Sequence, residues 1–155
     1  MKNKVAIIGL GLIGGSIGLR LKEKGYFVAG YDLDESALSI GLEKGAIDVA
    51  ISLDQIKDYP TVIFGLYPQA ELDFVKEKSA CFAKGAFVLD VLGVKGPFVP
   101  KIDEILSKRE VRYISTHPMA GAEKRGVAYA FSSMFEGANF LICPTKPQEE
   151  DIEEA

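Results

Sequence analysis

Short apolar runs recur along the chain, and polar residues, glycine or proline separate them. The runs are VAIIG at 5–9, FVAGYD at 27–32, AIDVAIS at 46–52, TVIFGLY at 61–67, AFVLDV at 86–91, VRYIST at 111–116 and NFLICP at 139–144. Most are continuous rather than alternating, which is typical of strands buried on both faces of a parallel sheet. The pattern therefore predicts a sheet built largely of parallel strands.

Amphipathic segments with helix-boundary residues lie between these runs. A segment at 13–24 ends at Gly25, and a second at 35–44 follows Asp34 as its N-cap and ends at Gly45. Two further helices are predicted at 69–83 and 100–108. Strands that alternate with helices across short loops predict an α/β fold of the doubly wound, Rossmann type, with a mostly parallel sheet flanked by helices.

The end of the sequence, PQEEDIEEA, has the composition of the first turns of another helix. The chain has 155 residues, which is the usual size of one domain. We expect residues 1–147 to form a single domain. Residues 148–155 are expected to begin a further, helical domain that is truncated here.

Composition excludes several classes of function. The chain is 48% apolar and 26% charged, and its net charge of −4 argues against nucleic acid as a partner. Cys81 and Cys143 lie far apart and there is one histidine, which indicates neither a disulfide nor a metal site. The apolar run near the amino end is interrupted by glycine and is too short to span a bilayer, so we expect a cytoplasmic protein.

The segment GLGLIG at 9–14 follows the first predicted strand and opens the first predicted helix. In that context the spacing G-x-G-x-x-G is typical of dinucleotide binding. Gly9 would permit a tight turn, Gly11 would let a pyrophosphate approach the backbone, and Gly14 would let the helix pack on the sheet. Leu12 and Ile13 complete the predicted cofactor contacts; the alternative is a glycine-rich turn that binds no nucleotide.

Asp32 ends the second predicted strand, where a carboxylate can accept hydrogen bonds from the adenosine ribose. It would repel a 2′-phosphate, and no arginine follows it, so NAD is favoured over NADP as the cofactor. Tyr67 and Pro68 follow the fourth run at the carboxyl edge of the sheet and would line the cofactor cleft. A helix start with proline in its first turn explains the same two residues.

His117 is the sole histidine and follows the run VRYIST. Because Pro118 disfavours the helical region for the residue before it, we expect the strand to end at His117 with its ring at the carboxyl edge. Imidazole titrates near neutral pH, so such a ring can take a proton from a substrate hydroxyl while hydride leaves the same carbon. A purely structural histidine is the alternative.

Several motifs together resemble one family. The chain contains GLGLIGGS with Asp32, DVLGVK at 90–95, THPMAGAEKRGVAYA from Thr116, and MFEGANFLICPT from Met134. This combination resembles the nucleotide-binding domain of the prephenate dehydrogenases and the related arogenate dehydrogenases. The resemblance implies oxidative decarboxylation of prephenate to 4-hydroxyphenylpyruvate, in tyrosine biosynthesis, with hydride passing to NAD. It also implies that His117 assists deprotonation of the ring hydroxyl.

The resemblance extends to further residues and includes one departure. It implies that Glu123 lies near substrate, although a solvated helix-start charge is as good an explanation; Lys95 is a second tentative substrate residue. Gly93 stands where the family commonly has a serine that meets substrate and nicotinamide, and Ser16 is a separate family position near the cofactor. Family members continue into a helical domain with dimer contacts and basic residues for the substrate carboxylates, which implies a homodimer.

Three other functions remain open at this point. Arogenate would replace prephenate if groups outside this sequence favoured it. A β-hydroxyacid dehydrogenase-like enzyme also opens with a glycine-rich turn, but such enzymes use a lysine in the helical domain and lack the HPMAG segment found here. The third alternative is a non-enzymatic module that senses NAD(H).

Overall fold

The computed structural model describes residues 3–146 and 149–155, and this part of the chain forms seven strands and five helices. The strands are β1 Lys4–Ile8, β2 Phe27–Tyr31, β3 Val49–Ala50, β4 Thr61–Phe64, β5 Phe87–Leu89, β6 Arg112–Pro118 and β7 Phe140–Cys143. The helices are α1 Leu12–Glu23, α2 Glu35–Glu43, α3 Pro68–Lys78, α4 Val99–Lys108 and α5 Glu149–Glu154.

One sheet holds the seven strands in the order β3-β2-β1-β4-β5-β6-β7. Strands β1 to β6 are parallel to their neighbours, and β7 runs antiparallel to β6. Because β1 pairs with both β2 and β4, the direction of winding reverses at β1. This arrangement confirms the predicted doubly wound, mostly parallel fold. Ligands bind such sheets in the crevice at the carboxyl ends of the strands around the reversal.

Strand β1 shows why its apolar residues are continuous. Ala6 and Ile8 belong to the core on one face of the sheet, whereas Ile7 belongs to the core on the other face. The larger core lies under α3 and α4 and includes Phe64, and the smaller core lies under α1 and α2 and includes Val28. Each face of the central strands is therefore buried, as the continuous pattern predicts.

Helix α1 packs tightly on both of its sides because its buried residues are small. A Cβ atom at Gly18 would lie 2.3 Å from the carbonyl oxygen of Ala46. The hydroxyl of Ser16 is buried and accepts a hydrogen bond from the Phe131 amide at 3.1 Å. Ser16 therefore tethers the segment after β6 to α1.

A predicted strand and a predicted helix are shorter in the structure. The run at 46–52 yields only a two-residue strand, because Ala46 and Ile47 donate their amides back to Gly41 at the end of α2. The helix predicted at 69–83 ends at Lys78, and a 3-10 turn, Ser79–Cys81, follows it. The predicted N-cap of α2 is confirmed, since the Asp34 carboxylate accepts from the Ser36 amide at 2.9 Å.

The prediction that β6 ends at His117 is wrong, because the strand continues through Pro118. His117 pairs with Leu141 of β7, and the Met119 amide donates to Asn139 at 2.8 Å. The nitrogen of Pro118 faces the opposite side, where β5 has already ended, so its missing N–H leaves no acceptor of a neighbouring strand unpaired. The antiparallel partner thus extends β6 past the proline.

A short helix is present at the end of the chain, as the composition predicts. The Arg112 guanidinium of β6 pairs with Asp151 and Glu154 of α5, each at 2.6 Å, and so ties this helix to the amino end of β6. The predicted domain boundary at residues 147 and 148 lies outside the described residues. Within the described ranges, each helix is too short or too polar to cross a membrane.

Candidate functional site

The turn between β1 and α1 is built from main-chain atoms packed against each other. Gly9 has a φ of +94°, a left-handed conformation that favours glycine, and its amide donates to Tyr31 at 2.9 Å. A Cβ atom at Gly14 would lie 2.1 Å from the carbonyl oxygen of Gly9. The turn can therefore exist only with glycine at both positions.

A third glycine completes this turn and was missed by sequence reasoning. A Cβ atom at Gly65, which follows β4, would lie 2.5 Å from the Gly9 oxygen and 3.1 Å from the Gly14 Cα. The signal in the sequence is a glycine directly after the fourth buried strand. In a parallel sheet that strand ends at the same edge as β1, where the first turn lies. The reversal of winding brings β1 and β4 together, and Gly65 makes that approach possible.

Gly11 faces open space, whereas Gly9, Gly14 and Gly65 are packed against other parts of the chain. Among the described residues, no atom lies within 4 Å of the position that a Cβ atom would occupy there. Gly11 is the N-cap of α1 and caps it with no side chain, and the first amides of any helix lack acceptors within the helix. These amides and the positive end of the helix dipole form a site suited to an anion.

Gly11 opens onto a cleft of about 520 Å³ at the carboxyl edge of the sheet. Three segments follow β4, β5 and β6 and form its walls together with the start of α1. The lining residues are Gly11, Leu12, Ile13, Gly65, Leu66, Tyr67, Pro68, Val91, Leu92, Gly93 and residues 121–126. Seven of the predicted site residues therefore lie around one cavity.

A second cavity of about 240 Å³ adjoins the turn on its other side, with Gly9 and Asp32 in its wall. The Asp32 carboxylate accepts from the Leu10 amide at 2.7 Å and from the Asp34 amide at 2.9 Å, which fixes its direction. Each carboxylate oxygen has a further lone pair for another donor. The two cavities together give room for an extended ligand that crosses the glycine turn.

The charges around this second cavity are mainly negative. Asp32, Asp73 and Glu77 line it together with a single cation, Lys78. Sequence reasoning missed Lys78, which is the last residue of α3 and has its ammonium 5.4 Å from the centre of the Phe74 ring. The balance of charge disfavours an additional phosphate group.

His117 adjoins the main cleft beside Gly93. Its side chain is half-buried on β6, and a Cβ atom at Gly93 would lie 3.3 Å from its Nε2 atom. Since Gly93 lines the cleft and has no side chain, the imidazole stands directly behind this part of the cleft wall. The structure thus places the predicted base next to Gly93, in the wall of the cavity that Gly11 also lines, although His117 itself is not a lining residue.

Another cavity of similar size, about 530 Å³, lies at the amino ends of the strands and has Lys4, Lys57 and Lys84 in its wall. It contains none of the predicted site residues, and ligands of doubly wound sheets bind at the other edge. Within the described ranges, no three histidine, cysteine or acidic side chains are grouped closely enough to hold a metal ion. We therefore place the site in the cleft between Gly11 and His117.

Comparison with known proteins shows the family of the chain. The family model described as the prephenate dehydrogenase nucleotide-binding domain matches residues 17–155. The chain belongs to this family. Among curated proteins, prephenate dehydrogenase from Bacillus subtilis is 32% identical over 149 residues, and that from Lactococcus lactis is 31% identical over 143 residues. These matches cover 93% and 90% of the chain but 40% of each relative, so the chain spans about two fifths of their length.

Solved structures of the prephenate dehydrogenase family share the fold. The crystal structure of the Aquifex aeolicus enzyme in complex with hydroxyphenyl propionate and NAD+ matches with a TM-score of 0.88 and 29% identity. That match covers 98% of this chain and 54% of the other. Mycobacterium tuberculosis 3-hydroxyisobutyrate dehydrogenase, with a TM-score of 0.78 and 17% identity over 99% of this chain and 50% of its own, shares the fold alone.

Glu123 and Lys95, the two residues predicted to meet substrate, differ in their position relative to the cleft. Glu123 is exposed in the wall of the cleft, beside Lys124 and Arg125. Lys95 lies outside the cleft wall, with its ammonium 2.5 Å from the Ser115 hydroxyl and 2.6 Å from the Thr116 carbonyl oxygen. The structure therefore does not bring Lys95 and Glu123 together.

The carboxyl end of β5 carries a buried polar cluster that sequence reasoning also missed. Asp90 is fully buried and accepts hydrogen bonds from the Leu92 amide, the Ser115 hydroxyl and the Tyr113 hydroxyl. Glu71 of α3 is fully buried too, and neither of its carboxylate oxygens has a hydrogen-bond partner among the described residues. Burial, and then the charge of Asp90, raise the pKa of the Glu71 carboxyl well above its ordinary value.

Proposed function

We propose that this chain is the NAD-binding part of a prephenate dehydrogenase, which oxidises prephenate with loss of carbon dioxide to give 4-hydroxyphenylpyruvate. The observation that carries the proposal is the position of His117 beside Gly93, which lines the same cleft as Gly11 of the glycine turn. The family of the chain and the ligands named for the Aquifex aeolicus structure support it.

The residues around the turn have the chemistry that NAD requires. The open face of Gly11 and the first amides of α1 would hold the pyrophosphate, because a side chain at Gly11 would project into the cleft. Asp32 would accept hydrogen bonds from the adenosine ribose through its remaining lone pairs. Leu12, Ile13, Tyr67 and Pro68 would form the walls along the rest of the cofactor.

The chain's contribution to the chemistry is a base held at a fixed place. Bound NAD would supply the acceptor for the hydride that leaves the ring carbon bearing the hydroxyl group. His117 would take the proton of that hydroxyl on its neutral imidazole, so that the carbonyl group can form as the C–H bond breaks. Loss of the ring carboxylate as carbon dioxide then gives the aromatic product.

Substrate binding requires cations for two carboxylates, since a buried carboxylate without a partner is costly. Lys124 and Arg125 are exposed at the rim of the cleft near Glu123, whereas the ammonium of Lys95 is directed at the protein interior. Because the chain spans 40% of its curated relatives, we propose that the remainder of such an enzyme supplies further cations and the dimer interface.

The proposal is tested by turnover in the full gene product that contains this chain. With prephenate and NAD it should form 4-hydroxyphenylpyruvate and NADH, and replacing NAD with NADP should lower kcat/KM. Product is measured by the absorbance of NADH and by chromatography. Absence of turnover with prephenate, when NAD binds normally, would contradict the substrate assignment and leave the cofactor assignment standing.

A further inference from the structure

The pairing of β6 with its parallel neighbour β5 stops three residues before His117. The pairing of β5 with β6 ends at Leu89 and Ile114, although β6 continues to Pro118. Ser115 and Thr116 therefore have no strand beside them on the β5 side. Side chains from the segment after β5 occupy that place and bond to β6 instead.

Asp90 and Lys95 make the hydrogen bonds to β6 that a neighbouring strand would otherwise make. The Asp90 carboxylate accepts from the Thr116 amide at 3.1 Å, and the carbonyl oxygen of Asp90 accepts from the Thr116 hydroxyl. The Lys95 ammonium donates to the Thr116 carbonyl oxygen at 2.6 Å. The amide, hydroxyl and carbonyl group of Thr116 are therefore all held by two residues of one loop.

The Lys95 ammonium has three N–H groups and three acceptors. Besides the Thr116 oxygen, these are the Ser115 hydroxyl at 2.5 Å and the Asp90 carboxylate at 3.4 Å. Its side chain is 27% exposed and Asp90 is fully buried, so the pair lies mostly out of water. An ammonium bonded in this way has no donor left for a substrate carboxylate.

We propose that Lys95, paired with Asp90, is a positioning residue that fixes the imidazole of His117 relative to the cleft. The proposal rests on the proposed function of His117 as the base. Lys95 holds the residue that precedes His117, and the same loop places Gly93 against the imidazole, 3.3 Å from Nε2 at its Cβ position. One ion pair thus fixes both the strand that carries the base and the wall in front of it.

The expected consequence is a misplaced base rather than a missing one. A shift of about 1 Å in a catalytic group can lower the rate by about a hundredfold. NAD binding would change less than turnover, since Lys95 itself lies outside the cleft wall and the glycine turn is formed by contacts among Gly9, Gly14 and Gly65. A purely structural lysine would instead lower the stability of the whole domain and leave the imidazole in place.

The test uses Lys95→Met, with Lys101→Met as its matched control, because Lys101 is an exposed lysine of α4. His117 is the sole histidine, so its Cε1–H resonance needs no assignment among others. In the 155-residue chain, Lys95→Met should shift that resonance and speed amide exchange at Thr116 and His117 at least tenfold. The Lys101→Met variant should match the wild type in both measurements.

Turnover in the full gene product gives the second readout. Lys95→Met should lower kcat about 10- to 100-fold with the KM for NAD changed less than threefold, and Lys95→Arg should restore most of kcat. A wild-type resonance, exchange rate and kcat in Lys95→Met would overturn the proposal. Exchange is measured without substrate, so its result stands even where prephenate proves not to be the substrate.

Lys95→Met leaves the Asp90 carboxylate buried without its cation, which can prevent folding. The double variant Asp90→Asn, Lys95→Met removes both charges and still offers the Ser115 hydroxyl and Thr116 amide an acceptor. Because the donor to the Thr116 oxygen is gone, exchange at His117 should again rise at least tenfold. Wild-type protection in the double variant, or loss of fold in both variants, would contradict a positioning role.

Discussion

The two ends of the cleft are built by different means. At the glycine turn, Gly9, Gly14 and Gly65 bring main chain against main chain, and contacts of 2.1 and 2.5 Å to any added Cβ atom leave no room for side chains. At the His117 end, side chains of Asp90 and Lys95 reach across 21 to 26 positions of sequence to hold one strand. The first end therefore depends on the absence of side chains and the second on specific polar ones.

This difference predicts that substitutions at the two ends fail in separate ways. The glycine turn should respond through stability or cofactor affinity, according to whether the glycine faces packed backbone or the open cleft. Substitutions at the His117 end should lower turnover, because this end holds the proposed base and lies apart from the second cavity, which Asp32 lines.

The largest effect is expected from His117→Asn in the full gene product. The amide retains a hydrogen-bonding group but cannot accept the hydroxyl proton, so kcat should fall about 10²- to 10⁴-fold. The dissociation constant for NAD, measured by calorimetry, should stay within threefold of the wild type. Similar kcat values for the two proteins would show that His117 is a structural residue at the strand and that another group is the base.

Gly14→Ala and Gly11→Ala form a matched pair within the turn. The Cβ atom at Gly14 would lie 2.1 Å from the Gly9 oxygen, so we expect a loss of about 3 kcal/mol in the free energy of unfolding. The Cβ atom at Gly11 meets open space, and at this N-cap position the loss should be below about 1 kcal/mol. Urea unfolding measures both; equal losses would contradict the packing described for the turn.

Gly11→Val should leave the domain folded and remove cofactor binding. Its side chain would project into the cleft where the pyrophosphate is placed, and we expect NAD affinity to fall at least about a hundredfold, or about 2.7 kcal/mol. Calorimetric titration measures the affinity, and circular dichroism checks the fold. Normal NAD binding by this variant would mean that residues 9–14 are not the pyrophosphate site.

Asp32→Ala should weaken NAD binding less than Gly11→Val does. It should also reduce the preference for NAD over NADP. Loss of a charged hydrogen-bond acceptor should weaken NAD binding by about 1–3 kcal/mol, while repulsion of a 2′-phosphate is relieved. The difference in affinity between NAD and NADP should therefore narrow. Equal affinities of the wild type for the two cofactors would remove the role assigned to Asp32.

Glu71→Gln should change the free energy of unfolding by an amount that depends on pH. The raised pKa of the buried carboxyl means that the folded chain holds this proton above pH 4.5, where the unfolded chain releases it. The wild type should therefore lose stability as pH rises, and the variant should lose less, by about 1–2 kcal/mol at mildly alkaline pH. Denaturant unfolding of both proteins across this range measures it; a constant difference between them would contradict a protonated Glu71.

The same contrast explains what the sequence could predict. The glycine turn was predictable from one short motif, and each parallel strand from its own apolar run. Both features are present in the structure. The extension of β6 through Pro118 depends on pairing with β7, which lies more than twenty residues away. Local rules for proline placed the strand end one residue early because they contain no information on the partner strand.

Lys95 and Gly65 show the same limit on the site itself. The position of Lys95 close to the motifs predicts a contact with substrate, but its three acceptors belong to Asp90, Ser115 and Thr116, which only the folded sheet brings near. Gly65 becomes obligatory through its contact with Gly9, across the reversal of winding. Roles that depend on tertiary neighbours cannot be assigned from spacing alone.

The central claim is that one bound NAD extends from the glycine turn to His117. The most direct measurement is an NMR titration of the 155-residue chain with NAD and, separately, with ADP-ribose, which lacks the nicotinamide. The account predicts that both ligands shift the amides of Gly11 and Ile13, and that only NAD shifts the Cε1–H resonance of His117, with the same dissociation constant as the amides. A His117 resonance that stays unmoved at saturating NAD would contradict the claim.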